Sequence, residues 1–178
     1  MVAIGSYVYF IVYDGSDTGI ARSDGSTTSM ITNWRAGQLV TDGTLLYFAG
    51  DDGSNGYELA VFDPSDSSVS LLTDHDGSES FLVEQGCSGS ACGYIEIMGD
   101  LVLINGGITD SEGNDVSGNS LYAYDTSSSS LSRLTETVIG SHDDVRDINI
   151  IGSKAYFSAE TRDASGSIQR SLWVTDGT

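Results

Sequence analysis

Basic residues are scarce. Of 178 residues only seven are Lys or Arg, a single one of them lysine (Lys154), against 26 Asp and Glu, for a formal net charge of −19. Phosphate binding needs a basic surface, so nucleic acid is excluded as a partner. The only histidines are His75 and His142 and there are two cysteines, a poor supply for the four ligands of a structural zinc. No stretch approaches the roughly twenty apolar residues of a membrane-spanning helix. The start, Met1-Val2-Ala3-Ile4-Gly5, has neither a basic nor a long apolar region, so no signal peptide is read there. Cys87 and Cys92 are expected to close a small disulfide, with free thiols the alternative, which suits an oxidising compartment.

Turn-forming residues are plentiful. With 22 Gly and 28 Ser, about a quarter of the chain favours turns, spread evenly along it, while 39% hydrophobic residues suffice for a core. Many short strands follow from that distribution. The strands repeat. A glycine turn leads into an apolar strand at Gly5-Ser6-Tyr7-Val8-Tyr9-Phe10, at Gly43-Thr44-Leu45-Leu46-Tyr47-Phe48, at Gly99-Asp100-Leu101-Val102-Leu103-Ile104 and at Gly152-Ser153-Lys154-Ala155-Tyr156-Phe157. Each is followed by a strand ending in an Asp turn: Asp24-Gly25, Asp63-Pro64, Asp125-Thr126 and Asp176-Gly177. A closing element, Ser29-Met30-Ile31-Thr32, Ser70-Leu71-Leu72-Thr73 and Ser132-Arg133-Leu134-Thr135, occurs three times. Another strand precedes each glycine, clearest at Tyr94–Met98 and Asp147–Ile151.

The repeated glycines are 38, 56 and 53 residues apart, near the period of a propeller blade. The expected fold is all-β: a β-propeller of about four blades, each of four antiparallel strands, the last lacking its outer strand. A β-sandwich and a stacked solenoid are the alternatives. Blades are expected at 1–33, 34–74, 75–136 and 137–178, as one propeller domain or a fragment of a larger propeller. The unfilled fourth blade would be completed by more chain, by the N-terminal strand or by a neighbouring molecule, because an open edge invites strand addition.

The last copy, Ser171-Leu172-Trp173-Val174-Thr175-Asp176-Gly177-Thr178, resembles the Glu-Leu-Trp-x-x-Asp-Gly-Thr repeat of large secreted and surface proteins of bacteria. The second copy, Gly56-Tyr57-Glu58-Leu59-Ala60, keeps Gly, Glu and Leu and replaces Trp by Ala. The resemblance implies a propeller-like, extracellular or cell-surface protein and no particular activity.

Oxygen-rich loops are the candidate sites. Asp14 and Asp17, then Asp51, Asp52 and Asn55, then Asp110, Glu112, Asn114 and Asp115 offer the carboxylates and amides that calcium takes from bendable loops. The same residue types are also ordinary turn formers. Ser141-His142-Asp143-Asp144 places a hydroxyl, a base and an acid in a row, but residues adjacent in sequence do not make a catalytic triad. No catalytic residue and no organic cofactor is read. The leading expectation is a non-catalytic extracellular structural or adhesive module, self-assembling by edge complementation, with other copies of itself or the rest of a larger propeller as partners. A calcium-dependent module binding protein or surface carbohydrate is the alternative, and a polysaccharide hydrolase or lyase a remote one.

Overall fold

Every strand expected from the repeat is present in the described parts of the chain. The computed structural model describes residues 1–13, 15, 18–74, 81–82, 95–107, 120–135, 143–162, 165 and 167–178. Among them there are fifteen strands and no helix. The first sheet runs β1 (Val2–Ile4), β2 (Tyr7–Tyr13), β3 (Thr18–Ser23), β4 (Thr28–Thr32), and the second β5 (Arg35–Thr41), β6 (Leu46–Asp51), β7 (Tyr57–Asp63), β8 (Ser68–Leu71). The third runs β9 (Ile95–Met98), β10 (Leu101–Gly106), β11 (Ser120–Asp125), β12 (Ser130–Arg133). The fourth has three strands, β13 (Arg146–Ile151), β14 (Lys154–Arg162) and β15 (Ile168–Thr175). All neighbouring strands are antiparallel and consecutive in the chain.

Turn chemistry fixes the hairpins. Ile4 pairs with Tyr7, Met98 with Leu101 and Ile151 with Lys154, leaving the two-residue turns Gly5-Ser6, Gly99-Asp100 and Gly152-Ser153. Only the glycine of each pair has positive φ, at 59°, 62° and 64°. That is the type II′ pattern, whose twist matches the flanking strands. The central hairpins then share one register: Phe10 opposes Ala21, Phe48 opposes Ala60, Ile104 opposes Tyr122 and Phe157 opposes Trp173. The sequence repeat is therefore a repeat of backbone pairing as well.

The chain divides into two compact units, Met1–Cys92 and Gly93–Thr178. In the first, the inner strands β1 and β5 lie side by side. Tyr9, Ile20, Leu39, Leu46, Phe48 and Phe62 form the core between its two sheets, with Tyr9 and Phe62 ring centroids 5.9 Å apart. In the second, β9 and β13 are neighbours and Leu103, Leu121, Val145, Ile148 and Phe157 make the core. Leu46 to Gly50 on β6 and Ser120 to Tyr124 on β11 are buried at every position. This unbroken burial, with no period of two, is what a strand covered on both faces shows.

Candidate functional site

The acidic excess has a structural use. Asp24 Oδ1 accepts the amides of Ser26 and Thr27, Asp42 Oδ1 those of Thr44 and Leu45, Asp63 Oδ1 that of Ser65, and Asp125 Oδ1 that of Ser127. Each carboxylate bonds its own backbone two or three residues on, satisfying turn amides that no strand partner reaches. The amide of Thr27, then that of Ser26, holds the Asp24 carboxyl below its ordinary value, and the hydroxyl and amide of Ser127 do so for Asp125.

One such turn borders an open groove of about 500 Å³ in the first unit. Its walls are Asn33, Trp34 and Arg35, from the connection of β4 to β5, and Asp51 to Ser54 with Gly56, from the turn between β6 and β7. Thr32 Oγ1 accepts the Trp34 amide at 3.1 Å and Thr18 Oγ1 accepts the Ala36 amide at 2.9 Å, fixing the connection on both sides of the indole. Arg35 and Asp51 face each other in the β5–β6 register and their charged groups lie 3.8 Å apart. At that distance and exposure the pair adds little stability.

Asp51, Asp52 and Asn55, three of the expected calcium ligands, meet in this turn. The aspartates serve the turn itself: Asp51 Oδ1 accepts Gly53 N at 2.7 Å, while Asp52 accepts Ser54 N at 2.8 Å, Asn55 N at 3.0 Å and Asn55 Nδ2 at 3.0 Å. The Ser54 amide, ahead of the Asn55 amide and side chain, holds the Asp52 carboxyl below its ordinary value against the opposing effect of burial. Among the described residues no cluster of three His, Cys, Asp or Glu is arranged to hold a metal. The other expected ligands, Asp14, Asp17, Asp110, Glu112, Asn114 and Asp115, lie outside the described residues, as do Cys87, Cys92, His75, Ser141 and His142.

Among the described residues two carboxylates are fully buried, and sequence reading gave neither of them this role. Glu58 on β7 accepts the hydroxyl of Thr73 on Oε2 and the Phe81 amide on Oε1, and Thr73 Oγ1 in turn accepts the Leu59 amide at 3.0 Å. In the third sheet Thr135 Oγ1 accepts the Leu121 amide at 2.9 Å and donates to Asp143 at 2.8 Å, with Ser120 Oγ donating to the same oxygen at 3.0 Å. The relay from amide to threonine to carboxylate is the same in both sheets. Its anion comes from the strand in one case and from the segment before β13 in the other. The threonine closing Ser70-Leu71-Leu72-Thr73 and Ser132-Arg133-Leu134-Thr135 was the available signal. The row Ser141-His142-Asp143-Asp144 is thus divided by role: Asp143 anchors the third sheet, whereas Asp144 joins an exposed network with Arg146 and Arg170, Arg170 also reaching Glu160 at 2.9 Å.

No protein-family model matches the sequence, and no curated protein matches it. Solved structures do match. A puromycin-hydrolyzing peptidase from Mycobacterium tuberculosis superposes with a TM-score of 0.66 at 15% identity, over 97% of this chain and 26% of that one. Its fold is similar to that peptidase. A puromycin hydrolase gives 0.64 at 15% identity over 89% of this chain and 24% of its own, and a prolyl endopeptidase 0.50 at 13% over 96% and 25%. The chain spans about a quarter of the length of these structures. These neighbours are hydrolases, and they overturn the expectation of a non-catalytic structural or adhesive module that assembles by its edges.

Proposed function

We propose that this chain forms consecutive blades of a propeller belonging to a hydrolase that cleaves amide bonds, and that the groove at Trp34 contacts the substrate. The observation that supports this reading is the superposition of nearly the whole chain on about a quarter of puromycin-hydrolysing peptidases at TM-scores of 0.64 to 0.66. The side-by-side inner strands β1 and β5, and β9 and β13, are the contacts that radial blades make. In the groove, the indole of Trp34 supplies an apolar face and Asp51 and Asp52 carry two negative charges against one on Arg35. That balance suits a substrate with a free amine beside an aromatic or apolar group, held by charge and by ring contact. The buried Glu58 and Asp143 are closed to solvent and serve the fold.

The test is turnover of aminoacyl and prolyl para-nitroanilides, and of puromycin, by the full natural chain. Amide hydrolysis is expected, with Asp51→Asn and Trp34→Ala raising KM about tenfold at unchanged kcat, as loss of uniform substrate binding does. Absence of turnover on every amide substrate overturns the hydrolase reading. Turnover with KM untouched by both substitutions removes the groove from it.

A further inference from the structure

The sequence holds two Asn-Gly pairs, Asn55-Gly56 and Asn105-Gly106. Asparagine is a thermolabile residue, most of all before glycine, where no Cβ on the next residue keeps its amide nitrogen from the asparagine side chain. The structure places the two pairs in opposite surroundings. Asn105 lies in β10 opposite Leu121, and Gly106 opposite Ser120. The Asn105 side chain is buried and its Nδ2 donates to Val145 O at 2.7 Å. Ring closure there has to undo a strand end and a bond inside the core of the second unit. Asn55 is the reverse case. It belongs to the turn between β6 and β7, and Gly56 is the last residue before the ladder that begins with Tyr57 opposite Asp51. Both are half-buried, and Gly56 lines the groove with φ at +66°. Among the described residues the Gly56 amide donates to no acceptor. The Asn55 side chain donates from Nδ2 to Asp52 at 3.0 Å, a bond within the same turn that opens without disturbing a strand.

We propose that Asn55 is a modification site, converted without an enzyme to aspartate and isoaspartate. The Gly56 nitrogen attacks Asn55 Cγ and gives up its proton. The new N–Cγ bond closes a succinimide, the Cγ–Nδ2 bond breaks, and ammonia leaves with that proton. Water then opens the ring. Attack at Cγ yields aspartate, and attack at the Asn55 backbone carbonyl carbon yields isoaspartate, whose main chain runs through Cβ and Cγ. The sum is asparagine plus water giving the acid plus ammonia, with nothing oxidised or reduced. The product changes the wall of the groove: a third carboxylate joins Asp51 and Asp52, and the donor to Asp52 becomes a group of like charge. The isoaspartyl form also adds a methylene to the main chain ahead of Gly56. This inference concerns the turn alone and does not depend on the hydrolase reading.

The test is to hold the full natural chain in mildly alkaline buffer at physiological temperature and follow it by isoelectric focusing and peptide mapping, with isoaspartate identified by an isoaspartyl methyltransferase. An acidic product mapping to Asn55 is expected, formed at least about tenfold faster than at Asn105, which must first lose a buried side-chain bond and its strand pairing. In concentrated urea the two pairs should convert at similar rates, because only the fold distinguishes them. Asn55→Asp should show the isoelectric shift from the start, and Asn55→Gln should suppress the product. Folded protein in which Asn55 stays intact, or in which Asn105 converts as fast, overturns the proposal.

Discussion

Replacing Thr73 by valine isolates the buried relay of the second sheet. Valine matches threonine in shape, so no cavity opens and strand preference is kept. What disappears is one hydroxyl with two duties. Its loss strands the buried Leu59 amide, at a cost of about 1–3 kcal/mol, and removes a donor from the buried Glu58 carboxylate, worth about 1.5–3 kcal/mol for a charge-assisted bond. The Phe81 amide remains on the other Glu58 oxygen, so the carboxylate keeps part of its support. A net loss of about 3–5 kcal/mol is expected. Thr32, at the same place in the first sheet, is the control. There the strand residue equivalent to Glu58 is Gly19, no carboxylate is met, and the hydroxyl accepts the Trp34 amide at 3.1 Å. Thr32→Val should cost about 1 kcal/mol, the net worth of an ordinary bond. Urea unfolding followed by circular dichroism, with the midpoint shift read at constant m, measures both. If Thr73→Val falls within about 0.5 kcal/mol of Thr32→Val, the relay carries no special weight and the reasoning fails.

Gly177 has φ +95°, and a Cβ there would lie 2.3 Å from Leu101 Cδ1 and 3.1 Å from Met98 Cε; Gly177→Ala should cost about 1–3 kcal/mol by calorimetry, through strain and displaced core side chains. A Cβ on Gly50 would lie 2.7 Å from Phe48 Cε2 and 3.0 Å from Ala60 Cβ, so Gly50→Ala should destabilise by a similar amount, about 1–3 kcal/mol in denaturant titration. Burial pushes the Asp144 carboxyl up, but the hydrogen bonds and charges of Arg146 and Arg170 together outweigh it and leave it below its ordinary value. A lowered folded pKa means stability that is full above the unfolded value near 4 and is lost as pH falls through the folded one. The stability gap between wild type and Asp144→Asn should therefore be constant from pH 7 to about 5 and close in more acid solution, and a gap that widens there refutes the assignment.

Strands and hairpins were legible because their causes are local. Gly5, Gly99 and Gly152 demand a positive φ, the apolar runs after them fill a sheet, and Asp24, Asp63 and Asp125 close the next turn on themselves. Four sheets of four, four, four and three strands follow from counting these signals. The groove was only half visible. Asp51, Asp52 and Asn55 stood out as an oxygen cluster, but Trp34 comes from the preceding connection, and nothing in sequence spacing places an indole across from that turn. The oxygens of Asp51 and Asp52 also proved to accept backbone amides of their own turn. The likeness to the peptidase structures was invisible for a different reason: at 13 to 15% identity the shared property is the pairing of strands into sheets, which constrains hydrogen bonding and burial far more than it constrains residue identity.

The buried relay shows why a repeat can persist in space while fading in sequence. Its requirement is a carboxylate beside the threonine that receives the leucine amide, at a point where water is absent and an unpaired hydroxyl or amide would be costly. Glu58 meets that requirement from within β7, next to the Leu59 whose amide the threonine receives. In the third sheet the strand position is Ser120, too short to be the anion, and Asp143 arrives from the following segment to accept both Ser120 and Thr135. In the first sheet Gly19 removes the side chain altogether; a Cβ there would lie 2.9 Å from Thr32 O, so the outer strand itself closes the space. Glu58 and Ser120 thus meet one local constraint in two ways and Gly19 removes the space in which it would arise, so a search for Glu in each copy finds a single instance. The same constraint withdraws Glu58 and Asp143 from any reaction with substrate, because both are fully enclosed and already hydrogen-bonded. The carboxylates of Asp51 and Asp52, by contrast, line the open groove beside an aromatic ring.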